Sequence, residues 1–225
     1  MSKVILISEI GLCHNGSMET AKEMIRVSRE CGATLVKGQG FNACDVKGSM
    51  PPKFYEDRQL SPMQLMELIL YGREIGIEVF FSIFSKEYEC LRGAQAWHKF
   101  SAGQSKKQPR TVEENDKFNV IASVNPNTLL PNLKTANVLY ACPYLAKDPR
   151  LDYINFFSEY YGRQVGYSDH TVGIEWCLLA HRAHGAKIIE KHFTLTRDIY
   201  FEGKQFRDAI HSADPDQLAK LAGAL

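Results

Sequence analysis

Two histidines each close a short apolar run: His170 in QVGYSDH (164–170) and His192 in KIIEKHF (187–193). Two imidazoles with open positions suit a divalent cation that also binds substrate oxygens. Other runs end in polar groups as well. KVILISE (3–9) ends in Glu9, TLVKGQ (34–39) carries Lys37 and Gln39, EVFFSIF (78–84) carries Ser82, and HKFSA (98–102) carries Lys99. NVIASV (119–124) carries Ser123, Ser168 precedes His170, and Gln104 and Tyr144 follow the fourth and sixth runs. Lys37, Lys99, Ser123 and Ser168 on separate segments suit an anionic ligand such as a phosphate or a carboxylate. The same groups could instead be a buried salt-bridge and hydrogen-bond network, and two histidines could equally serve a core. His98, His181, His184 and His211 are expected at the surface or in structural roles, while His14 follows the first run beside Glu9.

These residues need strands to aim them. Side chains alternate across a strand, so Lys37 shares a face with Gln39, Ser168 with His170, and Glu190 with His192. Charge on a barrel-facing side is costly unless it is paired or binds something. Between the apolar runs lie amphipathic stretches. Residues 18–31 predict a helix with Ala21, Met24, Ile25 and Ser28 on one face. Residues 61–75 predict another, with Ser61 as N-cap, Pro62 at the first position and Gly76 as the stop. Helices are also expected at 85–95, 149–161, 173–184 and 214–223, the last with Asp214 as N-cap and Pro215 after it.

Eight strands alternating with helices point to one parallel architecture, either an open doubly wound sheet or a closed (β/α)8 TIM barrel. The count of eight, polar strand ends and the lack of a G-x-G-x-x-G after the first strand favour the barrel. Its 225 residues are at the short end for that fold, so abbreviated helices are expected between strands 4 and 6. Residues 104–117 are polar and 125–133 are broken by Pro126 and Pro131. A single domain over 1–225 is the expectation.

With 27 Lys and Arg against 26 Asp and Glu, net charge is +1, which argues against a bulk nucleic-acid binder. No apolar run reaches the roughly 20 residues of a membrane span. The six cysteines are scattered without C-x-x-C, and the N-terminus lacks a signal-peptide pattern. A cytoplasmic protein with no nucleic-acid or membrane partner is expected.

SEIGLCHNG (8–16), VKGQ (36–39), GYSDHTVG (166–173), IIEKHFTL (188–195) and SADPDQL (212–218) together resemble the sialic acid synthase family over nearly the whole chain. The resemblance implies a metal-dependent condensation of phosphoenolpyruvate with an aldose, an N-acetylated hexose such as N-acetylmannosamine. The product would be a nine-carbon keto acid, with phosphate released. It further implies manganese or magnesium on His170 and His192, with Glu9 handling a proton or the attacking water. Lys37, Gln39, Lys99, Ser123 and Ser168 would hold phosphoenolpyruvate, and Asp208 would bind sugar hydroxyls.

The departures fall on the sugar side. Gln104 stands where the family has Glu, and glutamine cannot act as a base. Tyr144, with Pro143 and Ala146, replaces a Thr-Asn-x-Tyr pattern, and YFEGKQFRDAIHS replaces a shorter G-P-D-H loop. The family's C-terminal antifreeze-like domain, which sends an arginine into the partner's site, is not expected within a chain that stops at Leu225. A homodimer through barrel faces stays open. Two other readings are compatible with these changes: a barrel that binds such ligands without turning them over, and another metal-dependent pyruvate aldolase.

Overall fold

In the computed structural model, which describes residues 4–102, 119–128 and 137–225, eight parallel strands close on themselves in sequence order. They are β1 (Ile5–Gly11), β2 (Leu35–Gly40), β3 (Glu78–Ile83), β4 (Trp97–Phe100), β5 (Asn119–Val124), β6 (Asn137–Ala141), β7 (Gly166–Asp169) and β8 (Ile188–His192). β1 pairs with both β2 and β8, which removes every free edge and makes the fold a (β/α)8 TIM barrel.

Strand alternation splits the side chains into two sets. Ile7, Leu35, Phe80, Ile121 and Leu139 form one buried apolar cluster, apart from the larger core that lies under the helices. Two residues further along the same strands come Glu9, Lys37, Ser82, Ser123 and Ala141. The barrel is thus plugged by hydrocarbon below and polar above. The plug keeps water from the underside of the polar layer, which strengthens every charge interaction above it.

The helices form where the sequence predicts. α1 (Met18–Glu30) is capped by Ser17, which accepts a 3.1 Å hydrogen bond from the Thr20 N–H, and buries Ala21, Met24, Ile25 and Ser28. After the short α2 (Pro52–Glu56) comes α3 (Pro62–Ile75), which has a reciprocal Ser61–Gln64 capping box and ends at Gly76 with φ +79°. Then follow α4 (Asp152–Tyr161) and α5 (Glu175–His184). Two predicted helices differ. Residues 85–95 give a 3-10 helix, Lys86–Gly93; the hydroxyl of Ser85 accepts from the Asn42 N–H at 2.8 Å and makes no cap. Residues 149–161 become helical only from Asp152, because Arg150 adopts φ +53° while its N–H donates to Asp148.

Beyond β8 the chain makes a hairpin of β9 (Tyr200–Phe201) and β10 (Lys204–Gln205), then α6 (Arg207–His211) and α7 (Pro215–Ala224). Asp214 caps α7, accepting from the Gln217 N–H at 2.9 Å. The abbreviated helices expected between strands 4 and 6 fall on 103–118 and 129–136, outside the described residues. No helix among the described residues is long and apolar enough to cross a membrane.

Candidate active site

A cavity of about 740 Å³ opens above the polar layer. Ten of the eleven predicted site residues line it: Glu9, Lys37, Gln39, Lys99, Ser123, Tyr144, Ser168, His170, His192 and Asp208. Gln104 lies outside the described residues. Register explains the convergence. Glu9 is opposite both Lys37 and His192, Gln39 is opposite Ser82, Ser82 is opposite Lys99, and Ser168 is opposite Glu190.

The first strand ends in a bulge between Glu9 and Gly11. Gly11 has φ +46°, and its N–H donates a 2.6 Å hydrogen bond to Glu9 Oε1. A left-handed residue here turns its own N–H back on the carboxylate two positions before, which glycine does at least cost. The next turn is held by Gly16, at φ +78°, where a Cβ would meet the Asp57 carbonyl.

The floor of the cavity is a four-charge network. Lys37 pairs with Glu9, and also lies 3.7 Å from Glu190. Lys99 donates to Glu190 Oε2 at 2.6 Å, and the Ser168 hydroxyl donates to Oε1 at 2.7 Å. Two ammoniums and two carboxylates therefore neutralise one another in a desolvated layer. Burial drives the Glu9 carboxyl above its ordinary range, helped by the charge of Glu190. Burial also opposes ionisation of Glu190, but Lys37 and Lys99 outweigh it and bring this carboxyl down to about 2. Lys99 goes the other way: burial, reinforced by Lys37, brings it to about 8 despite its partner. Glu190, a polar strand-end residue that the sequence leaves without a role, is the hub of this network.

On the other side of the cavity the imidazoles gather. The ring centroids of His170 and His192 are 5.4 Å apart. His170 Nδ1 donates to the Cys142 carbonyl at 2.7 Å, which fixes its tautomer and leaves Nε2 for a ligand. His192 Nδ1 is buried without a partner. Burial lowers both rings' pKa, with His211 as a further cause at His192, so both are neutral donors. Neutral, oriented imidazoles carrying free nitrogens fit a divalent metal ion. His211 was expected at the surface or in a structural role; it is fully buried, with its ring 4.6 Å from that of His192. No periodicity in the short segment Arg207–His211 marks it, so its sequence position alone could not reveal this.

Tyr144, 44% exposed, stacks on His170 at 4.4 Å, and the Arg207 guanidinium lies 3.8 Å over the Tyr144 ring. Beside them burial raises the Asp208 carboxyl to about 6. Behind the histidines, on the outward face, Lys191 and Asp169 form a wholly buried ion pair at 2.6 Å. Asp169 also accepts from the Tyr167 hydroxyl and from Thr171, and Lys191 donates to the Thr171 carbonyl. The strand ends that carry His170 and His192 are thereby tied together from outside.

Residues 119–225, from β5 to the end of the chain, match the model of the NeuB family. That match covers the second half of the barrel, from its fifth strand onward. Relatives of this chain include the N,N'-diacetyllegionaminic acid synthase of Campylobacter jejuni, 29% identical over 88% of this chain and 70% of that protein. The N-acetylneuraminate-9-phosphate synthase of Mus musculus is 28% identical over 96% of this chain and 67% of that protein. Among solved structures, the N-acetylneuraminic acid (sialic acid) synthetase of Leptospira borgpetersenii superposes on this barrel with a TM-score of 0.84. It is 25% identical, and the match covers 99% of this chain and 82% of that one.

Proposed function

We propose that this barrel is a NeuB family synthase that condenses phosphoenolpyruvate with an aldose, of the N-acetylated hexose class, to give a nonulosonic-type keto acid and phosphate. The observation that carries the reading is the meeting, in one cavity, of a lysine–serine cradle and a pair of neutral imidazoles. The synthase names of its relatives support the same chemistry.

In this reading Lys37, Lys99, Ser123 and Ser168 hold the anionic groups of phosphoenolpyruvate, and Gln39 contributes a hydrogen bond. The lysines offset its charge as the enol carbon bonds to the aldehyde carbon. His170 and His192 would hold a divalent metal ion. When bound, that ion supplies Lewis-acid polarisation of a carbonyl oxygen. Glu9, held by the Gly11 N–H, takes a proton from the water that adds to the phosphate-bearing carbon, after which phosphate leaves. Asp208 and Tyr144 face the acceptor from the mouth.

The test is phosphate release from phosphoenolpyruvate with a panel of aldoses and divalent cations. Turnover with at least one aldose, lost in Lys37→Met, is expected. Tight binding of phosphoenolpyruvate with no consumption across the panel would make the protein a binder instead.

A further inference from the structure

Arg207 stands at the mouth of the cavity and lines it beside Asp208 and Tyr144. Its guanidinium carbon lies 3.8 Å from the centre of the Tyr144 ring. The His170 ring lies 4.4 Å from the same centre, tilted by 31°. Two groups at such distances cannot share one face of a ring. Tyr144 is therefore held between them, with His170 on one side and Arg207 on the other. Both of its faces are taken, so a sugar ring cannot stack on it.

The stack leaves the donors of the guanidinium unspent. Arg207 Nε is buried and has no hydrogen-bond partner. Among the described residues the Arg207 side chain makes no ion pair, not even with Asp208 next to it. A guanidinium carries its N–H donors in a planar fork that matches the oxygens of a carboxylate or a phosphate, and contact with an aromatic face steadies that plane. The backbone beneath is firm as well. The Phe206 N–H donates to the Ile199 carbonyl at 2.8 Å, and the Phe206 ring packs 4.7 Å from that of Phe54. The other cations of the cavity are engaged or in solvent. Lys37 and Lys99 face Glu9 and Glu190, Arg150 pairs with Asp152 at 2.8 Å, and Lys47 is exposed.

We propose that Arg207 selects an acceptor aldose that carries an anionic group, a phosphate or a carboxylate, at the end away from its aldehyde. The proposal rests on the condensation above and names its acceptor class. Arg207 lies one aromatic ring beyond His170, so a sugar whose aldehyde sits by the histidines can set its far end on the guanidinium. A bidentate pair there fixes the acceptor's orientation as well as its affinity. Arg207 touches no reacting atom, and its effect falls on acceptor binding.

The test uses the full chain with phosphoenolpyruvate, a divalent cation and three acceptors: N-acetylmannosamine, its 6-phosphate, and a hexuronic acid. Wild type should favour one anionic acceptor over the neutral sugar by about 10- to 100-fold in kcat/KM, chiefly through KM. Which of the two is favoured tells phosphate from carboxylate. Arg207→Gln should raise the KM of that acceptor by a similar factor with little change in kcat, and Arg207→Lys should recover part of the loss. A wild type that uses N-acetylmannosamine as well as either anionic sugar, or an unchanged KM in Arg207→Gln, would overturn the proposal. The wild-type preference decides even where a variant does not fold. Calorimetry with the two anionic sugars reduced at the aldehyde, which cannot be consumed, reads the same contact without turnover. If no acceptor releases phosphate, the condensation itself fails. Weaker binding of a reduced sugar to Arg207→Gln still upholds the anion contact, and equal binding still overturns it.

Discussion

Lys99 and Glu190 meet at 2.6 Å on the cavity floor, both nearly sealed from solvent. An arriving anion does not find bare ammoniums there; it must share them with a carboxylate already in place. Lys99 then stands between two opposing demands, the charge of Glu190 and the desolvation of the barrel interior.

Breaking that pair from one side should be costly. Removing one member of a buried ion pair destabilises by about 3–5 kcal/mol, whereas an apolar pair of similar volume is often neutral. Glu190→Gln leaves Lys99 beside Lys37 with Glu9 as the remaining counter-charge, and Lys99→Met leaves Glu190 to Lys37 and Ser168. Urea unfolding should show a large loss for Glu190→Gln, a smaller one for Lys99→Met, and recovery in Lys99→Met/Glu190→Leu. Losses below about 1 kcal/mol in both single variants would mean the pair behaves as an exposed one.

The pH dependence of anion binding should report Lys99. Its pKa is lowered by burial from 10.5 to about 8. A folded value below the unfolded one means that the folded state sheds this proton first. The cost of burying the charge is fully present below pH 8 and is relieved as pH rises toward 10.5. For binding the sign is opposite, because the neutral amine no longer attracts an anion. The Kd for phosphoenolpyruvate, by calorimetry, should rise as pH passes 8, while Lys99→Met should be weak and flat. A wild-type profile that stays level to pH 9.5 would contradict this assignment.

The barrel itself was legible in the sequence because strand alternation and helix caps are local signals. Ser61–Gln64 and Asp214–Pro215 behave as their types predict. Glu9, Lys37 and Ser123 reach the cavity for a related reason, since a polar group two positions after an inward apolar one faces the same side, whereas Asp208 is suggested only by the family resemblance. The places of His211 and the Arg207–Tyr144 stack were not legible. His211 and Arg207 sit on a short helix after a two-stranded hairpin, where tertiary packing rather than periodicity sets direction. Glu190 was visible as a polar residue on the correct face, but its place as the hub depends on which lysines close around it.

The outward ion pair behind the histidines should matter to the site without lining it. Lys191→Met strips Asp169 of its cation in a fully buried setting, with an expected loss of about 3–5 kcal/mol. Asp169 has other donors in Tyr167 and Thr171, so a folded protein is still expected. With the strand ends released, the Zn²⁺ affinity of the folded variant should fall by about 10–100-fold. Unchanged affinity alongside the stability loss would make the pair a purely structural tie.

Asp208 gives the opposite pH signature from Lys99. Burial raises its pKa from 3.8 to about 6, so the folded state holds this proton longer than the unfolded one. The neutral form's advantage is complete below pH 3.8 and lost as pH rises through 6, leaving wild type to carry a buried charge at neutrality. A difference of about 2 pKa units corresponds to roughly 3 kcal/mol. Asp208→Asn carries no such charge. It should therefore be more stable than wild type at pH 7.5 by up to that amount, with the advantage shrinking toward zero near pH 4. Turnover with the preferred aldose should fall at the same time, since an amide cannot accept as a carboxylate does at both oxygens. Paired urea titrations at pH 4, 5, 6 and 7.5 measure the difference directly. A gap that does not change over that range would show that Asp208 does not titrate in the folded protein as its burial requires.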